Sequence, residues 1–567
     1  MTSGPIDPQN YGEGTWRAPV DELVAVGKAA SDEQGHGGLI AARAMKAAGI
    51  THIFTLSGGH IFPFHDGCHK EGIRIVDVRH EMTAGFAAEG WARITRTPGV
   101  AVITAGPGVT NAMSALAQAK FNRVPVLALG GRAPQFRWGQ GSLQEIDHVP
   151  FVDPLAPSRT VTETGSIARD LLDAIHDAVT PPRGPRFLDF PMDVLFNVID
   201  MGFEVAPPLL VTTPDGADVE KVASLITNAE RPILVAGSNV WMDHAEEALV
   251  ALAEAAELPV FVNGQGRGCI PADHRLAFAR SRSKGMKEAD LVIIAGTPLD
   301  FRLGFGQFGS AKVVHLDSHP EHIAGHVTLE ASIGAPLDLT FAALSAAIDR
   351  PADTKAWHET LREAEEAKRD AAQVELRSDA TPIHPMRVYG DLVPMLERDA
   401  IVIGDGGDFV SYAGREVPSY EPGCWLDPGP FGCLGVGPGY AMAARLAHPD
   451  KQIVLLYGDG AVGFAASDLE SLVRHKLPVV AVIGNNGIWA LEKFPMQALY
   501  GYDVATDLQP GLRYDQMMEA FGGRGELVTE PDELQPALKR AFESGEPTVV
   551  NVMTDPTIAY PRSSNLA

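Results

Sequence analysis

The chain has 567 residues, a length that suggests roughly three to four domains of about 150 residues each. Hydrophobic residues make up 45% of the chain and charged residues 21%, which is typical of a globular protein rather than a disordered or fibrous one. The formal net charge of −26 argues against nucleic acid as a partner, because binding of a phosphate backbone needs clustered lysines and arginines. An anionic ligand would need local donors, such as glycine-rich loops, helix N-termini, a metal ion or a few placed arginines.

The cysteines and the apolar runs bear on the location of the protein. The four cysteines, Cys68, Cys269, Cys424 and Cys433, form no Cys-x-x-Cys pair, so we expect no disulfide framework and a cytoplasmic location. The first 35 residues lack the basic start and the apolar core of a signal peptide. Apolar runs such as residues 452–457 have the length of strands and are too short to cross a bilayer, so we expect no membrane partner.

An N-terminal extension, residues 1–36, precedes a first block at residues 37–200. In this block, short apolar runs end in glycine-rich turns and lead into alanine-rich segments with helical periodicity. This alternation is typical of βαβ units around a parallel sheet. The predicted strands are residues 52–56, 73–78, 100–104 and 124–129. The second of these strands leads into Arg-His-Glu and then into a predicted helix over residues 82–93.

Two further blocks repeat the alternation. A linker at residues 206–218 precedes the second block, residues 219–350, and a charged helix over residues 354–377 leads to the third block, residues 384–558. The tail is residues 559–567. The predicted strands of the two blocks are residues 232–236, 259–263, 291–295, 312–317, 400–404, 452–457, 479–483 and 548–552. The sequence therefore predicts an α/β protein of three doubly wound parallel-sheet domains.

A motif in the third block points to a metal and a phosphate. Gly458, Asp459 and Gly460 follow an apolar strand, and 24 residues later Asn485 and Asn486 follow the next strand. Glycines let a backbone approach a phosphate closely, and a helix N-terminus adds free N–H groups. Carboxylate, amide and carbonyl oxygens at one sheet edge suit Mg²⁺. The alternative is a structural Asp in a tight turn and an Asn pair that caps a helix.

This motif resembles the signature of thiamine diphosphate enzymes, and the resemblance extends over residues 37–555, in the domain order of the acetohydroxyacid synthase and oxalyl-CoA decarboxylase group. It implies a pyrimidine-binding first domain, a middle domain and a diphosphate-binding third domain. It also implies thiamine diphosphate and Mg²⁺ as cofactors. By this resemblance, Asp459, Asn486 and the backbone oxygen of Ile488 would hold Mg²⁺. The diphosphate turn would be formed by Gly458, Gly460 and Ala461.

Two other loops of the third block match the family. Residues 429–437 resemble its G-x-x-G-x-M-G-x-G loop, in which a bulky apolar residue wedges under the cofactor, and Leu434 occupies that place. Residues 404–409 resemble the loop at the far end of the diphosphate, so Gly407, Asp408 and Phe409 are predicted cofactor contacts.

The first block supplies the other half of the predicted site. Residues 79–93 are similar to the family motif R-H-E-Q-x-A-x-x-A-A-x-G-x-A-R. The resemblance makes Glu81 the carboxylate that hydrogen bonds the aminopyrimidine ring of the cofactor. The alternative for Glu81 is a carboxylate that complements the dipole of a helix start. In this family, first and third domains of different subunits face each other, which implies a homo-oligomer, a dimer or a tetramer, with active sites at the interface.

Residues 278–306 of the middle block are similar to segments of 2-hydroxyacyl-CoA lyase and oxalyl-CoA decarboxylase. In that interpretation Arg280, Arg282 and Arg302 would bind the phosphates of a CoA nucleotide. The alternatives are surface ion pairs, or a middle domain that binds ADP or FAD or has lost its nucleotide.

Four further features bear on the substrate. Gln144, a candidate catalytic residue or else a structural one, stands where oxalyl-CoA decarboxylases have Glu, which argues against that activity. Glu492 follows Asn486 closely enough to be a proton shuttle or else an exposed helix residue. His60 either faces the substrate or holds its own loop. Residues 561–566 resemble the end of 2-hydroxyacyl-CoA lyases and form either a lid or a frayed terminus.

The sequence favours a 2-hydroxyacyl-CoA lyase, which cleaves its substrate to an aldehyde or ketone and formyl-CoA, or runs the reverse condensation. One alternative is an enzyme like acetohydroxyacid synthase or benzaldehyde lyase that acts on free 2-keto acids or hydroxyketones. Oxalyl-CoA decarboxylase, an FAD-using oxidase of this fold and a catalytically inactive relative complete the alternatives.

Overall fold

The computed structural model describes residues 34–200 and 213–561. The first domain is built on a sheet of six parallel strands in the order β3-β2-β4-β5-β7-β6. A separate antiparallel pair, β1 with β8, closes the domain. The strands are β1 Gln34–His36, β2 His52–Thr55, β3 Arg74–Asp77, β4 Gly99–Ile103, β5 Val126–Arg132, β6 Ser158–Thr160, β7 Arg186–Pro191 and β8 Val198–Asp200. The helices are α1 Gly37–Ala47, α2 Phe62–Glu71, α3 Glu81–Thr95, α4 Pro107–Asn122, α5 Val149–Val152, α6 Ile167–Val179 and α7 Met192–Phe196.

The middle domain has five parallel strands in the order β10-β9-β11-β12-β13. These strands are β9 Pro232–Ala236, β10 Val260–Val262, β11 Leu291–Ala295, β12 Lys312–Asp317 and β13 Ala331–Gly334. Its helices are α8 Gly216–Thr227, α9 Ser238–Met242, α10 Glu246–Ala256, α11 Arg282–Glu288 and α12 Leu337–Ala347. The long helix α13, Lys355–Leu376, then leads to the third domain, as the charged segment predicted.

The third domain has six parallel strands in the order β15-β14-β16-β17-β19-β18. These strands are β14 Ile401–Asp405, β15 Trp425–Leu426, β16 Ile453–Gly458, β17 Val480–Asn485, β18 Arg524–Val528 and β19 Thr548–Met553. Its helices are α14 Pro385–Leu392, α15 Asp408–Glu416, α16 Gly437–Ala447, α17 Asp459–Ala465, α18 Leu469–Arg474, α19 Ala490–Tyr500, α20 Tyr514–Ala520 and α21 Pro531–Glu543. The predicted class, three α/β domains on parallel sheets, is confirmed.

Every predicted strand is present, within about three residues at either end. Two boundaries differ from the prediction. The predicted linker runs too far, because α8 already begins at Gly216, where Asp215 caps the helix by accepting from the N–H of Ala217. Residues 34–36 of the predicted extension pair with β8 and so belong to the first domain. The remainder of that extension, residues 201–212 of the linker region and residues 562–567 lie outside the described residues.

Within the described parts of the chain, no helix combines the length and the apolar character needed to span a membrane.

Helices α3 and α16 join the first and third domains. A Cβ added at Gly439 would lie 2.9 Å from the backbone nitrogen of Ala87, so the two backbones touch. The Tyr440 hydroxyl donates to Glu89 over 2.8 Å and accepts from Gln118 over 2.9 Å, all three being buried. Buried apolar residues of both domains form one continuous core around this crossing. The crossing therefore fixes how the two domains sit against each other.

We expect Gly439→Ala to destabilise the protein by about 1–3 kcal/mol, because its methyl group would overlap the backbone of α3. The matched control is Gly414→Ala in α15, where an added Cβ meets nothing within 4 Å. That control should be neutral or stabilising by about 0.5–1 kcal/mol, since alanine is the better helix former. Urea unfolding followed by circular dichroism measures both. Equal midpoints for the two variants would show that the crossing has room to spare.

Candidate active site

The site is centred on the carboxyl ends of β16 and β17, which are neighbours in the sheet. Asp459 is the first residue of α17, and its carboxylate is buried, with 5% of the residue exposed. Its Oδ1 accepts from the N–H of Gly460 over 2.9 Å, and its Oδ2 accepts from the N–H of Gly487 over 2.6 Å. The turn after β16 and the turn after β17 are thus tied together through one carboxylate.

Asn486 and Ile488 lie in the second of these turns. The side-chain oxygen of Asn486 accepts from the N–H of Ile488 over 3.2 Å. The turn is pinned from outside, because Leu508 N–H donates to the carbonyl of Gly487 over 2.8 Å. The three predicted metal ligands therefore lie in two turns that the Asp459 carboxylate ties together.

The donor chemistry fits Mg²⁺. Burial raises the pKa of Asp459 to about 6, although the backbone N–H groups of Gly487 and Gly460 act to lower it. A nearby cation would favour the charged carboxylate, so the buried acid lacks a counter-charge that a divalent metal supplies. The described residues contain no cluster of three or more His, Cys, Asp or Glu side chains able to hold a metal. A metal at Asp459 would thus depend on hard amide and carbonyl oxygens, which Mg²⁺ accepts.

Close backbone contacts shape the predicted diphosphate loops. A Cβ at Gly406, which has φ +141°, would lie 2.9 Å from the nitrogen of Gly458, so the loops after β14 and β16 touch. A Cβ at Gly460 would lie 2.5 Å from the ring of Trp489. Ala461, also a predicted contact, is buried in the same turn. Larger residues at these glycines would close the space between the loops.

The three predicted contacts after β14 lie at the start of α15. A Cβ at Gly407 would lie 2.7 Å from Leu491, which brings this loop to the segment after Asn486. The Phe409 ring fills the space above Gly484 in β17. A side-chain oxygen of Asp408 accepts from the backbone N–H of Tyr560 over 2.9 Å, so the start of the tail is fastened to this loop.

The loop with Leu434 is held by a carboxylate whose role the sequence did not indicate. Asp405 is fully buried, and its two oxygens accept from the N–H groups of Gly435 over 3.1 Å and Gly437 over 2.7 Å. Leu434 itself is partly buried and packs against the core shared by the first and third domains. Asp405 therefore positions the predicted wedge residue, through contacts that span about thirty residues of chain.

Glu81 is the first residue of α3, one residue before the predicted start of that helix, and is 6% exposed. The side-chain amide of Asn111 donates to its Oε2 over 3.0 Å. Its Oε1 lies 3.5 Å from the place where a Cβ on Gly108 would be, so the missing side chain of Gly108 leaves room beside this oxygen. The sequence analysis did not identify Asn111 as a site residue. Its position in the first turns of α4, directly after a glycine-rich loop, could have indicated that role.

His60 and Gln144 lie at the same edge of the first sheet as Glu81. His60 is 6% exposed, and its Nδ1 is 3.3 Å from the hydroxyl of Thr104. Burial lowers the pKa of His60, while its hydrogen bond to the backbone of Leu143 raises it. Gln144 has a left-handed backbone, φ +59°, and packs against Gly106.

A buried network that the sequence did not reveal supports this edge. The N–H of Gly106 donates to Nε2 of His148 over 2.9 Å, which leaves the proton on Nδ1. That nitrogen is 3.1 Å from Asp189, and Asp189 is paired with Arg132. His148 and Asp189 are fully buried. The network holds the Gly106 turn, which is followed by the helix that carries Asn111.

Of the remaining predicted residues, Glu492 directly follows Leu491, which packs against Gly407, and the three arginines lie in the middle domain. Glu492 is exposed in the first turn of α19. Arg280 is paired with the buried Glu416 of the third domain, and Arg302 is paired with Asp300. Arg282 is partly buried beside Arg302, and desolvation lowers its pKa to about 10. Residues 562–566 of the proposed lid lie outside the described residues.

Three family models match the chain in the order of its domains. Residues 36–151 match the N-terminal TPP binding domain of thiamine pyrophosphate enzymes, residues 219–344 match their central domain, and residues 405–552 match their C-terminal TPP binding domain. The chain belongs to the thiamine pyrophosphate enzyme family. Thiamine pyrophosphate is another name for thiamine diphosphate, so the predicted superfamily is confirmed. Glu81 lies in the N-terminal and Asp459 in the C-terminal cofactor-binding domain of this thiamine pyrophosphate enzyme.

Relatives of two kinds cover nearly the whole enzyme. The chain is 54% identical over 540 residues to the acetolactate synthase large subunit IlvG of Mycobacterium tuberculosis, covering 94% of this chain and 98% of the relative. It is 33% identical over 584 residues to 2-hydroxyacyl-CoA lyase 2 of Caenorhabditis elegans, with 92% and 90% covered. The human 2-hydroxyacyl-CoA lyase 2 is 31% identical over 574 residues, with 91% and 90% covered.

Asp405 makes the stability of the cofactor-free protein depend on pH. Burial raises its pKa to about 7, against backbone hydrogen bonds that lower it. Since the pKa of an unfolded aspartate is about 3.9, the contribution of this group to stability is complete below about pH 4 and is lost as pH rises through about 7. We therefore expect the unfolding midpoint of the wild type, minus that of Asp405→Asn, to fall as pH rises across this range.

Thermal unfolding by circular dichroism at several pH values measures this difference. Asp218→Asn, at an exposed aspartate of α8, controls for the general effect of replacing a carboxylate. A difference that stays constant with pH would mean that the carboxyl of Asp405 titrates alike in both states.

Proposed function

We propose that this thiamine pyrophosphate enzyme is a synthase acting on free 2-keto acids, which joins two pyruvate molecules into acetolactate and releases CO₂. The observation that carries the proposal is the 54% identity, over 94% of the chain, to a protein named as an acetolactate synthase large subunit. The sequence favoured 2-hydroxyacyl-CoA cleavage, with this activity as an alternative. The relatives named as lyases are only about 31–33% identical, so they support that first choice less well.

The contacts of the arginines predicted to bind CoA also favour a substrate without CoA. The Arg280 guanidinium makes two hydrogen bonds to the carboxylate of Glu416, 3.0 and 2.5 Å long. The Arg302 guanidinium is similarly committed to Asp300. A phosphate would have to displace these carboxylates and deprive the buried Glu416 of one of its two arginine partners, leaving Arg415. A substrate without a nucleotide makes no such demand.

The residues that would hold the cofactor are those of the two loops and the metal turn. Asp459, Asn486 and the carbonyl of Ile488 would bind Mg²⁺, and the loops at Gly407 and Gly458 would take the diphosphate. When bound, thiamine diphosphate supplies a carbon nucleophile that attacks the keto group and an electron sink for the bond that breaks. The proposed diphosphate site rests on the close backbone approach of the loops, and the proposed Mg²⁺ site rests on the hard oxygen donors.

The first-domain residues act on protons and on shape. Asn111 donates to one oxygen of Glu81, so the other oxygen is oriented to hydrogen bond a ring nitrogen and to hold or release its proton. His60 is expected to be neutral near pH 7, because burial lowers its pKa, and a neutral imidazole adds no charge beside the carboxylate of a keto acid. Gln144 would line the same space as a neutral amide.

Two further proposals concern assembly and location. In the thiamine diphosphate enzymes that this chain resembles, first and third domains of different subunits face each other, which supports an active site completed by a second copy of the chain. We therefore propose a homo-oligomer whose sites lie between subunits. A cytoplasmic location remains a proposal based on the absence of any Cys-x-x-Cys pair.

A second candidate is 2-hydroxyacyl-CoA cleavage to formyl-CoA. It is supported by the relatives named 2-hydroxyacyl-CoA lyase 2, which match along about nine tenths of both chains.

The two candidates are separated by offering purified protein with thiamine diphosphate and Mg²⁺ either pyruvate or a panel of 2-hydroxyacyl-CoA thioesters. We expect acetolactate from pyruvate and no formyl-CoA, both read by mass spectrometry. Glu81→Gln should lower the rate at least about 100-fold, because the ring nitrogen loses its acidic partner, while cofactor binding persists.

The control is Glu220→Gln, at an exposed glutamate of α8 in the middle domain. It should keep the wild-type rate, because it lies in neither cofactor-binding domain. Formyl-CoA without pyruvate consumption would reverse the choice of substrate. An equal loss of rate in both variants would remove the specific role of Glu81.

A further inference from the structure

A cleft of about 990 Å³ opens between the middle domain, helix α13 and the third domain. Its walls include the edge strand β10, one face of α13, and helices α14 and α15. A cavity of this size holds a ligand as large as a nucleotide. None of the residues predicted to bind thiamine diphosphate or Mg²⁺ lines it, whereas Arg280, predicted to bind CoA, does.

The cleft is separate from the candidate active site. Helix α15 begins at Asp408, at the carboxyl edge where the diphosphate loops meet, and ends at Glu416 in the wall of the cleft. Eight residue steps of 1.5 Å give about 12 Å between these two ends. The cleft therefore lies near the amino ends of the strands of the third sheet, whereas Asp459 lies at their carboxyl ends.

The side chains that line the cleft are mostly positively charged, whereas the whole chain is negatively charged. Seven arginines line the cleft, against three carboxylates, those of Asp273, Glu365 and Glu416. The whole chain has a net charge of −26. Three of the arginines are paired: Arg275 with Glu257, Arg280 with Glu416, and Arg415 with Glu416 and Glu375.

The other four arginines have no carboxylate within ion-pair distance among the described residues. Arg267 is held by the carbonyls of Gly414 and Val417 and stacks on Trp425 at 4.1 Å. Arg362 stacks on Phe278 at 4.3 Å. Their orientation is fixed by these contacts, which do not neutralise their charge.

Arg369 and Arg377 complete this set. With Arg362 they are spaced by seven and eight residues, about two helical turns each, so all three lie on one face of α13 and just beyond its end. Both are exposed, and neither makes a side-chain hydrogen bond or ion pair among the described residues. Glu365 lies on the same face, but its carboxylate is engaged by the backbone N–H groups of Arg280 and Ser281, so a bound anion would add negative charge beside the three guanidiniums.

We propose that the cleft binds a small anion that carries a di- or triphosphate group, with the phosphates on Arg362, Arg369 and Arg377. Guanidinium groups bind phosphate oxygens in pairs, and unpaired guanidiniums need not give up another partner to do so. The apolar part of the wall, around Leu376 and Val393, is available to a ring attached to the phosphates. This site is distinct from the middle-domain arginines Arg282 and Arg302, which do not line the cleft.

The test is calorimetric titration of the holoenzyme, saturated with thiamine diphosphate at a fixed excess of Mg²⁺, with inorganic triphosphate and with ADP. We expect wild-type binding that weakens with added salt, and a Kd at least about 10-fold higher for the double variant Arg369→Ala with Arg377→Ala. The matched control is Arg169→Ala, an exposed arginine of α6 outside the cleft, which should bind as the wild type does. Replacing both arginines with lysine should give an intermediate Kd.

The outcomes separate the sources of the anion. Equal affinity for both probes supports recognition of the phosphates alone, and tighter binding of ADP supports a ring contact as well. No binding by the wild type overturns the proposal. So does binding that survives the double variant but is lost in Arg302→Ala, since the nucleotide would then sit in the middle domain. Because the readout is heat of binding, it is independent of which substrate the enzyme turns over.

Discussion

The crossing of α3 and α16 is the constraint on which the rest of the site depends. The two backbones touch at Gly439, and a buried network around Tyr440 replaces the side-chain packing that the glycine gives up. Helix α3 begins at Glu81 and α16 begins directly after the loop of Leu434. One contact between helices therefore sets the direction in which both catalytic halves face.

Much of the fold could be predicted because buried parallel strands are short, uninterrupted apolar runs. Strand β7 was missed because Asp189 interrupts its run, and that residue is buried only because Arg132 and His148 satisfy it. Strands β15 and β6 were missed because edge strands of two or three residues carry little pattern. The periodicity of a short segment cannot show that a polar residue in it has an ion-pair or hydrogen-bond partner distant in sequence.

The candidate site divides in the same way. The residues of the Gly-Asp-Gly turn and Glu81 are local motifs, and the structure places them at sheet edges as predicted. Asp405, by contrast, acts on glycines about thirty residues later, and Glu416 meets Arg280 from 136 residues away. The roles of such residues follow from the tertiary fold, which explains why the sequence assigned Arg280 to a phosphate.

Trp489 lies with its ring where a side chain on Gly460 would be and within 6.4 Å of the Phe464 ring, in a partly buried position. Indole emission depends on the polarity and charge around the ring. The enzyme therefore carries a natural fluorophore against the turn that would receive the diphosphate. Occupancy of that turn can be followed by the light the protein itself emits, without an attached dye and without waiting for a turnover.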